Sequence, residues 1–238
     1  MTIITFNGPI GSGGPEIGLE VSEKLNIDYV DRLILAEAAK RIGATVQAVS
    51  GKEHKLPRTR DRIGRFAQNL LERSAMSGAG GEPYFGPGIE VLLSRDYYSS
   101  DQKDTITSTT NVTDTEFITA TTSVITDLAD AGDVIIVGRA SNLILATKPN
   151  ALHVRVRAPL EQRIETIMNR EHLTHENATT FVNEHENARI AYFKRFFKVD
   201  PNDPDNYHIT LNMGNLKTST ATAIVIHAAQ DVSSDSHE

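Results

Sequence analysis

Residues 1–18 read MTIITFNGPIGSGGPEIG. The β-rich run Thr2–Phe6 leads into Asn7-Gly8-Pro9-Ile10-Gly11-Ser12-Gly13-Gly14, and past Pro15 the pattern turns helical. Strand, glycine-rich turn and helix start are the layout of a phosphate cradle. Glycines let successive backbone N–H groups face inward, and a helix N-terminus adds partial positive charge. The spacing G-x-x-x-x-G-K-[ST] fits Gly8 and Gly13 and then fails: Gly14 stands where the lysine belongs, Pro15 where Ser or Thr would hold Mg²⁺. Pro15 suits the first helical position, where its missing N–H has no intrahelical partner, but it removes one donor to an anion. Glycine-rich turns also precede helices that bind nothing, so the loop alone leaves both readings open.

Outward from the loop, strand and helix patterns alternate. Pro15–Leu25 is helical, with Ile17, Val21 and Leu25 on one face, and Ile27–Val30 is a short strand. Asp31 caps a helix over Arg32–Ile42. From Gly43 to about Thr113 the pattern is less regular. It holds a basic run from Lys52 to Arg65, a Gly/Pro-rich segment from Ser77 to Gly88 and a Ser/Thr/Asp-rich stretch from Ser99. Thr113-x-x-Glu116 is a capping box for a helix to Ala131. Val134–Val137 is a buried strand by its unbroken apolar run, and Ala151–Val156, which alternates, is a further strand. Helices follow from Pro159 to about Glu171 and from Thr174 to Phe197. The turn cluster Asp200–Asp205, a strand over His208–Asn212 and a helix over Thr218–Ala229 close the pattern. Strands separated by helices predict an α/β fold, a parallel central sheet with helices on both faces. We expect one domain over residues 1–230 with an insertion at about 43–113, then a polar tail, 231–238.

Composition sets outer limits. At 238 residues the chain can bury a substantial core. A net charge of −7 argues against general nucleic-acid binding. Cysteine is absent, which excludes disulfide and thiol chemistry and fits a reducing compartment. No basic segment followed by a long apolar run opens the chain, and Val134–Val137 is far too short to span a bilayer, so the expectation is a cytoplasmic protein without a membrane partner. The histidines lack metal-ligand spacing, and we predict no structural zinc.

Further chemistry gathers around two arginine groups. Val134–Val137 runs out into Gly138-Arg139, and ligands of open α/β sheets collect outside the carboxyl ends of strands. That places Arg139, a fork suited to phosphate or carboxylate, at the same edge as the glycine loop; the alternative is an arginine on a surface turn. Arg163 and Arg170 are seven apart on one predicted helix, and Arg189, Lys194, Arg195 and Lys198 lie on or after the next. Converging arginines beside a phosphate loop resemble a closing lid, though each alone also fits a solvated face. Tyr192, Phe193, Phe196 and Phe197 read as packing. Asp31, at the carboxyl end of its strand, can contact an acceptor, cap a helix, or do both. The run Lys52–Arg65 would suit an anionic acceptor, but reads more readily as a solvated helix face.

On these residues the chain resembles the cytidylate kinase-like family, among the P-loop nucleoside monophosphate kinases. The matching stretches are Gly11-Ser-Gly-Gly-Pro-Glu-Ile-Gly18, Tyr29-Val-Asp31, Val134-Ile-Ile-Val-Gly-Arg139 and Leu152 through Arg163. Glu186-Asn-Ala-Arg189-Ile-Ala-Tyr192 and Tyr207-His-Ile-Thr-Leu-Asn212 continue the match in order. The resemblance implies a P-loop NTPase-type three-layer sandwich with a helical lid at about 159–198 and a small acceptor-binding insertion. It implies ATP and Mg²⁺ as cofactors, nucleotide substrates, and phosphoryl transfer to CMP or dCMP. By that similarity Gly11, Ser12, Gly13, Gly14, Glu16 and Ile17 bind the donor, and Asp31 and Arg139 the acceptor. Arg139, Arg163, Arg189 and Arg195 supply the catalytic charge.

The chain departs from the family pattern at four points. The family's loop commonly reads G-S-G-G-R-E-I-G, so the absent lysine is shared, but its arginine is Pro15 here. An acid after Gly-Arg is Ala140, an aspartate in the lid is Glu186, and the late Tyr-Asp pair is Tyr207-His208. An arginine finger contributes roughly 10³–10⁵ in rate, so the loss at Pro15 bears on activity more than on fold. A catalytically silent nucleotide sensor, or a kinase for another small acceptor, are the rival expectations.

Overall fold

The apolar run at the head of the chain becomes the middle of a sheet. The computed structural model describes residues 1–31 and 114–234. In it β1 (Ile3–Asn7) is buried at every position, as a strand covered on both faces must be. β3 (Val134–Val137) and β4 (Ala151–Arg157) flank it in parallel, with Ile4 opposite both Ile135 and Leu152. β2 (Asp28–Val30) and β5 (Ile209–Asn212) complete the order β2-β3-β1-β4-β5, and β5 runs parallel to β4. This is the α/β parallel architecture that the alternation predicts. The chain leaves β1 toward β2 on one side of the sheet order and leaves β4 toward β5 on the other. Adjacent strands whose connections part in this way open a crevice at their carboxyl ends.

The helices are α1 (Gly14–Leu25), α2 (Asp114–Ala131), α3 (Ser141–Ile144), α4 (Leu160–Glu171), α5 (His175–Phe196) and α6 (Thr218–Ser234). Pro159 precedes α4 as its N-cap, and Thr174 caps α5, its hydroxyl accepting from Asn177 N at 3.3 Å. The short α3 carries no periodic signal and is absent from the sequence pattern. α6 runs past Ala229, so residues 231–234, expected in the tail, belong to its end. The helix expected at 32–42, the region 43–113 and the capping Thr113 lie outside the described residues. Among the described residues no helix is long and apolar enough to cross a membrane.

The described residues divide into two compact units, one of 1–29 and 132–234, the other of 30–31 and 114–131. In the second, Val124, Ile125, Leu128 and Ala129 form the buried stripe of α2. In the first, strand alternation sorts the sheet. Ile4, Phe6, Leu152, Val154 and Val156 share one face, packed with Ile17 and Val21 of α1 and Ala221, Val225 and Ala229 of α6. Fully burying Ile17 or Val21 contributes about 1.5–3 kcal/mol each. The alternate positions, Thr5, Asn7, His153 and Arg155, fall on the opposite face, Asn7 opposite Arg155 in register. His153 is 4% exposed, stacked on His208 with centroids 4.9 Å apart and hydrogen-bonded through Nδ1 to the Thr5 hydroxyl at 2.9 Å. Burial, with a smaller push from His208, lowers its pKa to about 4. A separate cluster, Ile164 and Ile167 of α4 with Ala178 and Val182 of α5, joins those two helices, and Ile10 of the glycine loop packs against it.

Candidate functional site

Two glycines hold the loop tight to its surroundings. A Cβ on Gly8 would overlap the Val156 carbonyl, and one on Gly11, whose φ is +77°, would lie 2.6 Å from the Arg163 carbonyl oxygen. Ser12 is buried and its N–H closes a turn to Pro9 O at 3.3 Å. Gly13, left-handed at φ 93°, is the N-cap of α1 and offers no side chain to the first N–H groups. Those donors therefore face the loop as an anion site requires, apart from Pro15, which has none. Glu16 is exposed in the first turn. Ile17, expected among the donor-binding residues, has its side chain in the core and donates its N–H to Gly13 O at 3.1 Å, so it seats the helix.

Arg163 reaches this loop, and Arg189 and Arg155, from two further elements, lie within electrostatic reach in a chain from it. Arg163 of α4 is 8% exposed; its Nε donates to Ile10 O at 2.9 Å, and its Nη2 is buried without a partner. Arg189 of α5 is 7% exposed. It grips Glu186 through Nε at 3.0 Å and Nη2 at 2.8 Å, and the same Nη2 reaches Asn202 Oδ1 at 2.7 Å. Its Nη1 is buried without a partner. Arg155 of β4 donates from Nη1 to Asn202 O at 2.9 Å and from Nη2 to Asn202 Oδ1 at 2.8 Å, leaving Nε buried and unpartnered. Burial pulls Arg155 and Arg163 below the ordinary guanidinium value, the neighbouring Arg189 adds to that, and Glu186 opposes it. All three keep their charge, because guanidinium does not deprotonate in proteins. A buried donor with no acceptor costs about 1–3 kcal/mol, and among the described residues these three nitrogens have none. Tyr207 lies in the same neighbourhood: burial raises its phenol pKa, the Arg189 and Arg155 charges pull it back, and its hydroxyl donates to Pro201 O at 2.9 Å.

The floor of the crevice is polar and ordered. Asn7, the last residue of β1, donates from Nδ2 to Asn142 Oδ1 at 2.9 Å, and Asn142 Nδ2 donates to Asn206 O at 3.1 Å. Between β3 and α3 the backbone is left-handed at three successive residues, Gly138, Arg139 and Ala140, with φ of 83°, 58° and 54°. The two non-glycine positions cost roughly 1–2 kcal/mol each, the kind of strain that clusters at functional sites. The Arg139 carbonyl accepts from Tyr192 Oη at 3.5 Å, one turn beyond Arg189 on α5.

Of the expected residues, Gly11, Ser12, Gly13, Gly14, Arg163 and Arg189 come together, and Arg139 sits at the carboxyl edge as predicted. Arg195 is exposed with its guanidinium 5.6 Å from the Phe196 centroid, and Arg170 is exposed and paired with Glu171. Tyr192, Phe193, Phe196 and Phe197 pack on one another. Asp31 directly follows β2 and is half-buried, within the second unit. Sequence reasoning missed Arg155 and Asn202. The signal for Arg155 was a charge on the polar face of an alternating strand; Asn202 was hidden in a turn cluster.

Residues 3–215 match the family described as cytidylate kinase-like. A cytidylate kinase from Methanopyrus kandleri is 30% identical over 94 residues, 36% of this chain and 49% of that protein, so the chain spans about half the length of this curated relative. Among solved structures, an uncharacterized protein from Eubacterium ventriosum superposes with a TM-score of 0.59 at 18% identity, over 97% of this chain and 98% of that one. A shikimate kinase from Acinetobacter baumannii gives 0.45 at 13% identity, over 97% and 94%. The family match extends over nearly the whole length, from the first strand through β5, and the chain belongs to the cytidylate kinase-like family.

Proposed function

We propose that this protein transfers the γ-phosphoryl group of ATP to a small phosphorylated acceptor, CMP or dCMP first. The observation that carries the reading is the pair of buried guanidinium nitrogens, Arg163 Nη2 and Arg189 Nη1, without partners among the described residues, with the glycine loop closed against Arg163 itself. An acceptor phosphate oxygen attacks the γ-phosphorus as its bond to the ADP oxygen breaks. Such a transfer asks the protein chiefly for position and positive charge. The uncapped start of α1 and the loop glycines cradle the donor phosphates. Arg163 and Arg189 neutralise charge from the helix pair, with Arg195 joining them if the pair closes. Arg139 takes the acceptor phosphate, and Asp31 with the region 43–113 selects the acceptor. Bound Mg²⁺ would neutralise the donor phosphates, with Ser12 of the loop and Glu16 of the first turn of α1 as oxygen-bearing side chains for it. The cytoplasm, where ATP is plentiful, is the fitting location.

The test is a coupled ADP-release assay with Mg·ATP against a panel of nucleoside monophosphates and small hydroxyl acceptors. Turnover with CMP or dCMP above the rest is expected; no turnover from folded, ATP-binding protein overturns the reading. Gly14 and Pro15 favour a second reading, a nucleotide-binding protein without turnover. It expects ATP to raise the melting temperature while no acceptor releases ADP.

A further inference from the structure

One neutral atom, Asn202 Oδ1, accepts from Arg189 Nη2 at 2.7 Å and from Arg155 Nη2 at 2.8 Å. Two like charges are thereby held side by side by an amide. The surrounding turn, Asp200-Pro-Asn-Asp-Pro-Asp205, has aspartate at three of its six positions, and the residue that the arginines reach is the asparagine. Its backbone is fixed, with Asn202 N donating to Asp200 Oδ1 at 2.8 Å and Asn206 Nδ2 to Asp200 O at 3.1 Å. An aspartate at 202 is nearly isosteric and would accept the same hydrogen bonds, adding a negative charge on the acceptor to the positive charge the donors already carry. As an acceptor for two guanidinium groups the carboxylate is the stronger of the two. With the amide, Glu186 pairs with Arg189 and acts on Arg155 and Arg163 only through space, and among the described residues each of the three arginines keeps one buried nitrogen without an acceptor.

We propose that Asn202 is a positioning residue for the phosphate site, aligning Arg155 and Arg189 without neutralising them, so that a bound polyphosphate supplies the missing negative charge. Arg155 joins the site through this bridge. The inference rests on the reading that the cluster receives a polyphosphate, and it goes beyond that reading in making the neutrality of residue 202 the determinant of affinity.

The experiment compares wild-type, Asn202→Asp and Asn202→Ala full-length protein. Melting is followed without ligand, inorganic tripolyphosphate binding by calorimetry, and ADP release separately. Asn202→Asp should melt no lower than wild type yet bind tripolyphosphate at least tenfold more weakly; Asn202→Ala should both melt lower and bind more weakly. A merely structural role predicts that the aspartate binds as well as it folds. Binding by Asn202→Asp within twofold of wild type, a fall in its melting to the level of the alanine variant, or no tripolyphosphate binding by wild type overturns the inference. If the aspartate weakens binding as expected while no acceptor is turned over, the inference stands and phosphoryl transfer fails.

Discussion

Pro15 brings neither an N–H nor a charge to the first turn of α1, at the position where the family loop carries arginine. It is exposed, and helical backbone there accepts other residues. Pro15→Arg should therefore place a cation at the mouth of the loop. We expect kcat/KM with the best acceptor to rise about tenfold, or about 1.4 kcal/mol of transition-state stabilisation. Melting should fall slightly, because proline's restriction of the unfolded chain, about 0.4–1 kcal/mol, is lost and a cation now meets the positive end of the helix. Initial rates at subsaturating ATP check this. An unchanged rate would mean that Arg163 and Arg189 already neutralise the donor.

At the scale of elements, α4 and α5 act as one unit through the Ile164, Ile167, Ala178 and Val182 cluster, which also grips Ile10 of the loop. Thr174 anchors the start of α5 through its hydroxyl. Thr174→Ala should cost about 1 kcal/mol and lower the melting temperature by roughly 2–4 °C. Arg189 lies fifteen residues further along the chain, about four turns away, so tripolyphosphate affinity should stay within twofold. A large loss of affinity would show that fraying at Thr174 propagates to the arginines. Most elements were legible in the sequence because their signals are local: the apolar run of β3, the Thr174-x-x-Asn177 start of α5, the glycines at the loop. Arg155 and Asn202 were not. Their partnership spans 47 positions and exists only because Asn7–Arg155 register fixes the face of β4 on which the guanidinium emerges. The short α3 escaped for a related reason: its Asn142 is held by Asn7 and by the Asn206 carbonyl, both distant in sequence.

For the whole molecule, His153 sets an acid limit. Its folded pKa is about 4 against 6.5 in the unfolded chain, so between those values the unfolded state binds more protons. Its contribution is complete above pH 6.5 and is lost as the pH falls toward 4, at about 1.4 kcal/mol per pH unit and about 3 kcal/mol in all. Urea unfolding at pH 7 and pH 4.5 should show this loss, and His153→Gln should shrink the difference between the two; an equal difference in both proteins overturns the assignment. In a chain of net charge −7, two guanidinium groups, Arg155 and Arg189, are thus held together around one amide. That amide is also chemically perishable. Direct hydrolysis of the Asn202 side-chain amide, the route that avoids a succinimide and its isoaspartate, would write the aspartate into the protein without any mutation. An ageing preparation would then keep its fold and its melting curve while its phosphate affinity drifts downward, a loss traceable by peptide mapping at residue 202.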